Sequence, residues 1–310
     1  MGMKIFITGV GGYIGSVVAG HLANLPEIDS ITGVVNKTMP PNPLPAKVNL
    51  IKMDIRSPEL ADAVAGHDFL IHSAFVVLWP AKMPAAVRDD INFNGARNVA
   101  QAAVKNKLRG FIYASSLAAY DQPLARGKEN VSEEEPRGKG DTSVYYWDSK
   151  AISEKILIEI LEPSQVTWTF LRMGFVIGPQ NHATIPGYRN NAASFFGLDP
   201  RLQFVQEDDA AEAFALAIRA KMPGIFNVVP DDFICLSDFY KIIGVNPMTV
   251  PVWLARLVTF IQWKYFGSPV HSSWVLDTLA DFAASNAKLK ANGWQPHYNS
   301  MEAIHTALSI

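Results

Sequence analysis

The start of the chain places a glycine-rich turn between an apolar strand and an apolar helix. Residues 4–8 (KIFIT) have the composition of a short buried strand, and residues 9–15 (GVGGYIG) follow directly. Glycines at such a turn allow tight bending, close approach of the backbone to phosphate, and close packing of helix against strand. The N-terminus of the following helix adds free N–H groups and positive partial charge. The segment therefore predicts a dinucleotide-binding α/β fold, in preference to a tight turn without a ligand.

Strands and helices alternate beyond this turn. Apolar, β-rich runs predict strands at residues 4–8, 30–35, 48–52, 69–73, 110–115 and 168–173. Periodic apolar patterns predict helices at residues 14–25, 57–65, 84–105 and 149–161. Alternation of this kind implies a parallel sheet that is covered by helices on both faces. We therefore expect an α/β fold of the doubly wound Rossmann class.

A second chemical feature is the spacing of Tyr146 and Lys150, which lie four residues apart. On a helix these positions share one face, so the ammonium group is expected beside the phenol. A neighbouring cation favours an ionised acid, and we expect the pKa of Tyr146 to fall for that reason. Such a phenol can exchange a proton with a carbonyl or an alcohol. Tyr145 would point about 100° away on an ideal helix, and we interpret it as a packing or substrate-contact residue.

Further segments resemble, in order along almost the whole chain, the extended short-chain dehydrogenase/reductase family of the NAD-dependent epimerase/dehydratase type. The matching segments are residues 8–15 (TGVGGYIG), 54–55 (DI), 68–74 (DFLIHSA), 92–98 (NFNGARN), 111–116 (FIYASS), 146–150 (YWDSK), 171–179 (LRMGFVIGP) and 204–209 (FVQEDD). The resemblance implies a Rossmann domain over residues 1–173 and about 204–229. It also implies a smaller, discontinuous C-terminal substrate lobe over about 174–203 and 230–310. We expect residues 224–229 (GIFNVV) to return to the main sheet.

The resemblance also implies roles for individual residues. Tyr146 would act as acid/base, Lys150 would bind the nicotinamide ribose, and Ser116 would hold the substrate oxygen. Ser115 is the competing serine, but the residues that follow, 117–120 (LAAY), match the family register after Ser116. The positions that the resemblance assigns to cofactor contact are Thr8, Gly9, Gly12, Tyr13, Ile14, Gly15, Asn36, Lys37, Asp54, Ile55, Ser73, Ala74, Asn94, Tyr146, Lys150 and Met173.

The choice between NAD and NADP depends on the end of the second predicted strand. A carboxylate there binds the ribose hydroxyls of NAD, whereas a basic residue accommodates the 2′-phosphate of NADP. This chain has Asn36 followed by Lys37. We expect an NAD(P) cofactor with a preference for NADP, and the alternative is that Asn36 binds the ribose of NAD while Lys37 is a solvated loop charge.

The substrate is less well determined by the sequence. Nucleotide-sugar members usually carry Asn after the Leu-Arg pair and Arg before residue 204, but this chain has Gly174-Phe175 and Leu202-Gln203 there. We therefore predict an oxidoreductase for a small apolar or cyclic carbonyl or alcohol. The candidate substrate contacts are Trp79, Tyr120, Phe175 and His182. The alternatives are a nucleotide-sugar epimerase or dehydratase with tightly bound NAD, and a non-catalytic NAD(P)-binding sensor or scaffold.

Composition narrows the classes of partner. The formal net charge is −2, which gives no basic surface for nucleic acid or an anionic membrane. The single cysteine, Cys235, excludes an internal disulfide and favours the cytoplasm. No cluster of residues has metal-ligand spacing, so no metal is expected.

Two helical segments carry further expectations. The apolar stretch 250–266 is too short to span a bilayer and is predicted to be an amphipathic helix that covers a core or a substrate cleft. By the resemblance, helices near 84–105 and 146–161 would form a four-helix bundle in a homodimer. The apolar stripe of Ile152, Ile156 and Ile160 is consistent with that bundle or with packing on the sheet.

Overall fold

The computed structural model describes residues 2–308, and its centre is a parallel sheet of seven strands. In chain order the first six strands are β1 (Met3–Thr8), β2 (Ile28–Val35), β3 (Val48–Lys52), β4 (Phe69–His72), β5 (Gly110–Ser116) and β6 (Thr167–Met173). The seventh strand is Gly224–Val228, which pairs with β6 as expected. The spatial order is Gly224–Val228, β6, β5, β4, β1, β2, β3. The doubly wound Rossmann prediction is therefore confirmed.

Each face of the sheet packs against its own layer of helices. Because side chains alternate along a strand, Ile5 and Ile7 of β1 enter one core and Phe6 enters the other. All four residues of β4 are buried, as expected for a strand covered on both sides. The sheet thus holds the carboxyl ends of β1, β4 and β5 side by side, where this fold class binds its ligands.

Each predicted helix has a counterpart beside the sheet, although the ends differ. The helices around the sheet are Tyr13–Ala23, Leu60–Val64, Ala85–Asp89, Gly95–Lys105, Gln122–Ala125, Tyr145–Leu161 and Glu207–Ala220. Of these, Gln122–Ala125 and Glu207–Ala220 were not predicted. A π-helical turn, Asp90–Asn94, interrupts the predicted helix 84–105, and a 3₁₀ turn, Leu117–Ala119, follows β5. The helix Tyr145–Leu161 begins four residues before the predicted 149, so it includes the Tyr146–Lys150 pair.

The smaller lobe is built from three two-stranded pairs and short helices. Its strands pair as Phe175–Ile177 with Phe204–Gln206, Arg201–Leu202 with Ile234–Cys235, and Ala193–Phe195 with Met248–Val250. Its helices are Thr184–Asn190, Leu236–Ile242, Val252–Tyr265, Trp274–Asp277 and Ser300–Leu308. The helix Ala287–Ala291 packs instead against Gly224–Val228 of the main sheet, where Leu289 is buried. Phe204–Gln206 therefore pairs within this lobe, although residues from about 204 were predicted to join the Rossmann domain. The domain boundaries remain a prediction.

Within residues 2–308, no helix combines the length and apolar character needed to cross a bilayer.

Candidate active site

The glycine turn after β1 contains three positions that exclude a side chain, and one of them is Gly11, where a Cβ would lie 2.0 Å from the carbonyl oxygen of Thr38. Gly9 has a φ of +79°, and a Cβ there would lie 2.5 Å from the backbone nitrogen of Ala74. A Cβ on Gly15 would lie 2.2 Å from the carbonyl oxygen of Gly9. These contacts hold the turn against the segment after β4 and bring the helix Tyr13–Ala23 close to the strand.

Gly12 leaves room for a ligand at the helix N-terminus. It is the N-cap of Tyr13–Ala23, and no side chain caps this helix. A Cβ on Gly12 would meet only the Gly9 carbonyl oxygen, at the ordinary distance of 3.4 Å, so the space beyond is open. An uncapped N-terminus beside open space suits the pyrophosphate of a dinucleotide. The residues therefore fit the expected cofactor at this end.

The predicted adenosine-side residues lie at the ends of β2 and β3. Asn36 and Lys37 are both exposed, and Asn36 Nδ2 donates to Asp54 Oδ2 over 3.3 Å. Arg56 binds both oxygens of the Asp54 carboxylate, at 2.9 and 2.6 Å. These hydrogen bonds lower the pKa of Asp54 to about 2. Arg56 was not predicted, although its position two residues after Asp54 is a signal that the sequence contains.

Some of the other predicted cofactor residues are half-buried beside the glycine turn, and others lie in the buried core of the protein. Ser73 and Ala74 are half-buried beside the glycine turn. The hydroxyl of Thr8 lies 2.7 Å from His72 Nδ1 in the buried core, and Tyr13 donates to Glu207 over 2.6 Å. The remaining members of this group are Ile14, which packs against the sheet core, and Ile55 and Met173, which are buried at 7% and 6% exposure.

The two candidate serines differ in burial and in their hydrogen-bond partners. Ser115 is 2% exposed and donates to the buried carboxylate of Glu154 over 2.6 Å. Ser116 is half-buried at the end of β5, where its Oγ accepts from the backbone N–H of Ala118 over 3.2 Å. The hydroxyl of Ser115 is therefore engaged in the core, and that of Ser116 faces the crevice residues near Tyr146.

Tyr146 lies among aromatic rings on the first turn of its helix. Its ring centroid is 5.0 Å from that of Trp274 and 6.2 Å from that of Phe75. Burial raises the pKa of Tyr146 to about 12, the Ser116 hydroxyl lowers it, and the charge of Asp277 raises it. The expected fall in this pKa is therefore wrong for the ligand-free protein, because the cost of burying a phenolate exceeds the favourable contacts.

Lys150 occupies the interior side of the same helix. Its ammonium group donates to the carbonyl oxygen of Ala114 over 2.9 Å and to the hydroxyl of Tyr113 over 3.4 Å. It lies 4.2 Å from the ring centroid of Phe75 and 5.9 Å from that of Tyr146. Burial lowers the pKa of Lys150 to about 7, and the charge of Glu154 partly opposes this shift.

Tyr145 and the π-helical turn form a separate hydrogen-bonded unit. The Tyr145 hydroxyl donates to the Val76 carbonyl oxygen over 2.6 Å and accepts from Asn92 Nδ2 over 2.6 Å. Asn92 is 2% exposed, whereas Asn94 is exposed and donates to Asp90 over 2.6 Å. The predicted Asn94 therefore points to the surface, and Asn92 is the asparagine that turns inward, because the π turn shifts the helical register.

Three of the four predicted substrate contacts have other surroundings. Trp79 is 3% exposed and packs against Tyr145, with ring centroids 4.3 Å apart. Tyr120 is 1% exposed, and its hydroxyl donates within the core to Asn227 over 2.8 Å. Phe175 packs against Phe204 in the core of the smaller lobe. Trp79, Tyr120 and Phe175 therefore have packing partners within the chain, and His182 is exposed. Their contact with a substrate stays a prediction.

The sequence analysis missed a buried acidic group beside Tyr146. Asp277 is 8% exposed and accepts from the indole nitrogen of Trp147 over 2.6 Å. Burial raises the pKa of Asp277 to about 7, and the bond from Trp147 opposes that shift. Asp277 and Trp274 lie on one short helix, so both flank Tyr146 from the smaller lobe. No local pattern indicates this contact, since 130 residues separate Trp147 from Asp277.

Comparisons with known proteins agree with this geometry. Residues 5–228 match the NAD dependent epimerase/dehydratase family. An uncharacterized protein of Mycobacterium tuberculosis is 25% identical over 263 residues, which cover 80% of this chain and 69% of that protein. The UDP-N-acetyl-alpha-D-glucosaminuronate decarboxylase of Bacillus cytotoxicus is 29% identical over 259 residues, which cover 75% of this chain and 76% of the relative.

Solved structures show the same fold. The UDP-glucose 4-epimerase of Thermotoga maritima has a TM-score of 0.78 at 18% identity, and the alignment covers 99% of this chain and 97% of that one. The family match extends from β1 through the seventh strand of the sheet and includes the glycine turn and the Tyr146–Lys150 helix. The chain therefore belongs to the NAD-dependent epimerase/dehydratase family, and it is an enzyme of that NAD-binding family.

Proposed function

We propose that this protein is an NAD(P)-dependent oxidoreductase that interconverts a carbonyl and an alcohol. The observation that carries the proposal is the convergence of Ser116, Tyr146 and Lys150 at the carboxyl end of β5, beside the glycine turn. The nicotinamide cofactor supplies or accepts the hydride when it is bound. Every remaining task, which is to orient the substrate oxygen and to move a proton, belongs to side chains of this chain.

Tyr146 is the proton donor in the direction of reduction. With its pKa raised to about 12 by burial, the phenol carries its proton at neutral pH and can give it to a carbonyl oxygen. Ser116 holds that oxygen, because its hydroxyl is close enough to Tyr146 to influence the pKa. In oxidation the same phenol must first lose its proton, which the buried site opposes. The protonated phenol therefore serves reduction, and its phenolate serves oxidation.

Lys150 positions the cofactor ribose and supports the proton transfer. Its ammonium group donates to the Ala114 carbonyl oxygen over 2.9 Å and lies 4.2 Å from the ring centroid of Phe75. Because its pKa is lowered to about 7, a small change in surroundings alters its charge. A charged Lys150 stabilises a developing phenolate on Tyr146, and a neutral one does not.

The surroundings of Tyr146 favour an apolar or cyclic substrate. The rings of Phe75 and Trp274 flank the phenol. At the positions where nucleotide-sugar members carry polar groups, Phe175 packs in the lobe core, and Gln203 is 5% exposed with its amide bonded to Ala284. These side chains have no free group to offer a diphosphate.

Two arginines of the smaller lobe, Arg189 and Arg201, are the remaining candidates for binding a diphosphate, and both have partners within the chain. Arg189 donates to the carbonyl oxygen of Ile243 over 3.1 Å, and Arg201 lies 3.7 Å from Asp281. Both side chains therefore have partners within the smaller lobe. This supports a substrate without a nucleoside diphosphate, although the Bacillus cytotoxicus decarboxylase and the Thermotoga maritima epimerase are named for nucleotide-sugar substrates.

A preference for NADP is part of the proposal. Asn36 and Lys37 are exposed at the end of β2, where Lys37 supplies the cation, because Arg56 is already paired with the carboxylates of Asp54 and Asp90. An Asn36→Asp variant should shift the ratio of kcat/KM for NADPH over NADH towards NADH by about tenfold, since the new carboxylate repels the 2′-phosphate. An unchanged ratio would remove the NADP preference and leave the reaction class intact.

The decisive experiment uses the Tyr146→Phe variant in a screen of cyclic ketones and alcohols with both cofactors. Turnover followed at the nicotinamide absorbance band should fall by about 10²–10⁴-fold, while cofactor affinity changes little. Tyr265→Phe, an exposed tyrosine, is the matched control and should keep wild-type activity. Wild-type activity in Tyr146→Phe would refute the mechanism. A product isomer formed without net cofactor turnover would identify an epimerase, and cofactor binding without any turnover would identify a sensor.

We also infer that the protein is a homodimer formed through Gly95–Lys105 and Tyr145–Leu161. These two helices pack beside each other on one face of the sheet. Ile152 and Ile160 remain half-buried there, which leaves apolar surface for a second copy. The molar mass from light scattering at micromolar concentration should be twice that of the chain. A monomer mass over that range would contradict this assembly.

A further inference from the structure

The helix Val252–Tyr265 turns its apolar side away from the protein. None of its residues is buried. Positions 253, 257, 260 and 264 share one helical face, and this face is exposed. The exposed large apolar residues of the helix are Trp253 (66%), Leu257 (47%), Val258 (46%), Phe260 (40%), Ile261 (38%) and Tyr265 (72%). The sequence predicts that this apolar face covers a core or a cleft, but in the structure the face is exposed on the surface of the protein.

The opposite side of the helix attaches it to the protein. Trp263 donates from its indole nitrogen to the carbonyl oxygen of Trp79 over 2.9 Å and packs edge-on against His271 at 4.8 Å. Thr259 and Gln262 are half-buried there. The helix is thus attached through Trp263 and through half-buried side chains that include Leu254, while most of its large apolar residues stay exposed.

Neighbouring residues extend the apolar surface at both ends of the helix. Phe266 directly follows it and is 78% exposed. Before it, Met248 is 72% exposed on the strand Met248–Val250. Because Val250 pairs with Phe195, the 68% exposed Phe196 lies near the beginning of the helix. We call this set, from Phe196 and Met248 through Phe266, the apolar ridge. Soluble monomers seldom expose a continuous surface of this kind without a partner.

The charged residues of the segment that contains this helix have one sign, although Asp199, three residues after Phe196, is exposed. Residues 239–276 contain no aspartate or glutamate, although the whole chain carries a net charge of −2. Arg256 and Lys264 are both exposed on the helix, and within residues 2–308 neither forms a salt bridge. The local field therefore favours an anionic partner, a property that the net charge of the chain conceals.

We propose that the apolar ridge docks the protein on the surface of an anionic phospholipid bilayer. The helix of 14 residues is about 21 Å long, so it lies in the plane of the membrane and does not span it. Trp253, Leu257 and Phe260 enter the boundary between headgroups and acyl chains, and Arg256 and Lys264 reach the phosphates. This replaces the expectation of no membrane contact, which considered only spanning length and overall charge.

A second copy of the chain fits the apolar ridge less well. A two-fold contact between two such helices would bring Arg256 and Lys264 towards the same cations of the other copy. No acidic residue in 239–276 is present to neutralise them. An anionic bilayer satisfies the apolar surface and both cations together. The proposal does not depend on the reaction proposed above.

The test is co-sedimentation of the full chain with vesicles of phosphatidylcholine that contain roughly one-third phosphatidylglycerol. The wild-type protein should sediment with these vesicles and much less with phosphatidylcholine alone. The double variant Trp253→Glu/Phe260→Glu should lose binding by at least about tenfold, because carboxylates then enter the lipid boundary. Met301→Glu is the matched control, since Met301 is 46% exposed on another helix, and it should bind as the wild type does.

A milder variant separates charge from apolar insertion and does not depend on the fold of the double variant. Arg256→Gln/Lys264→Gln should weaken binding to the mixed vesicles and remove most of the difference between the two compositions. Unchanged binding in both double variants would overturn the proposal. The proposal would also be overturned if the wild-type chain did not bind vesicles and if its stable dimer were lost in Trp253→Glu/Phe260→Glu. The apolar ridge would then be a contact between copies.

Discussion

Two helices of this protein distribute polar and apolar residues in opposite ways. Tyr145–Leu161 buries Lys150, Ser153 and Glu154 among eight buried residues, whereas Val252–Tyr265 buries none and exposes most of its large apolar side chains. Burial of charge and exposure of apolar surface each cost stability unless a partner compensates. The first helix has its partners within the chain. The apolar residues of the second helix have no such partners within the chain, and we therefore propose that a bilayer covers them.

Loss of the buried ion pair between Glu154 and Arg172 should cause the largest fall in the free energy of unfolding. Arg172 donates to Glu154 over 2.6 Å, and the two side chains are 0–1% exposed. Glu154→Ala leaves an unpaired buried cation, so the free energy of unfolding in urea should fall by about 3–5 kcal/mol. Glu159→Ala, on the exposed side of the same helix, should change it by less than about 0.5 kcal/mol. Equal values for the two variants would show that the buried pair is not required.

The second prediction concerns Asp277, which links the two regions through Trp147. Its pKa is about 7 in the folded protein, whereas an ordinary aspartate has a pKa of 3.8. The folded state therefore keeps the proton while the unfolded state loses it, and stability falls as pH rises from about 4 to 7, by up to about 4 kcal/mol. Asp277→Asn has no such proton to lose and keeps an oxygen acceptor for Trp147.

The measurement for Asp277 is the difference in unfolding free energy between Asp277→Asn and the wild type across this pH range. The difference should grow in favour of the variant as pH rises, and should be small near pH 4. Asp62→Asn is the control, since Asp62 is 84% exposed, and its difference should stay constant. A flat profile for Asp277→Asn would mean that the carboxyl is already ionised in the folded protein.

The smallest effect is expected at the apolar ridge. Leu257 is 47% exposed and Leu157, on the other helix, is 0% exposed. Leu257→Ala should change the free energy of unfolding by less than about 0.5 kcal/mol, whereas Leu157→Ala should cost about 2–5 kcal/mol. Thermal and urea unfolding without lipid give both values. A large loss for Leu257→Ala would mean that the ridge packs against the protein and is not free to meet a membrane.

The sequence predicts the fold well because its signals are local. The turn from Gly9 to Gly15 and the alternation of apolar runs specify the sheet, and six predicted strands fall where the structure has them. The position of Ser116 after β5 follows from the same register. Each of these signals lies within a few residues of the element it describes, so no knowledge of distant contacts is required.

The surroundings of the site are less predictable because they depend on distant parts of the chain. The pKa of Tyr146 rises through burial beneath Trp274, more than a hundred residues further along the chain. Tyr120 looks like a cleft residue but is bonded to Asn227 in the core. Periodicity identifies an apolar face on Val252–Tyr265 but does not say whether that face points inward or outward.

The π-helical turn Asp90–Asn94 has a consequence for how this chain tolerates insertions and deletions. A π turn holds one residue more than an α turn, so it behaves as a single-residue insertion carried within a helix. Removing one residue here would restore regular winding and rotate everything before it by about 100°. Arg88 would leave the ring of Tyr145, which it now faces at 3.7 Å. A deletion of one codon, harmless in most surface loops, would at this point change which side chains pack against Trp79 and Tyr145.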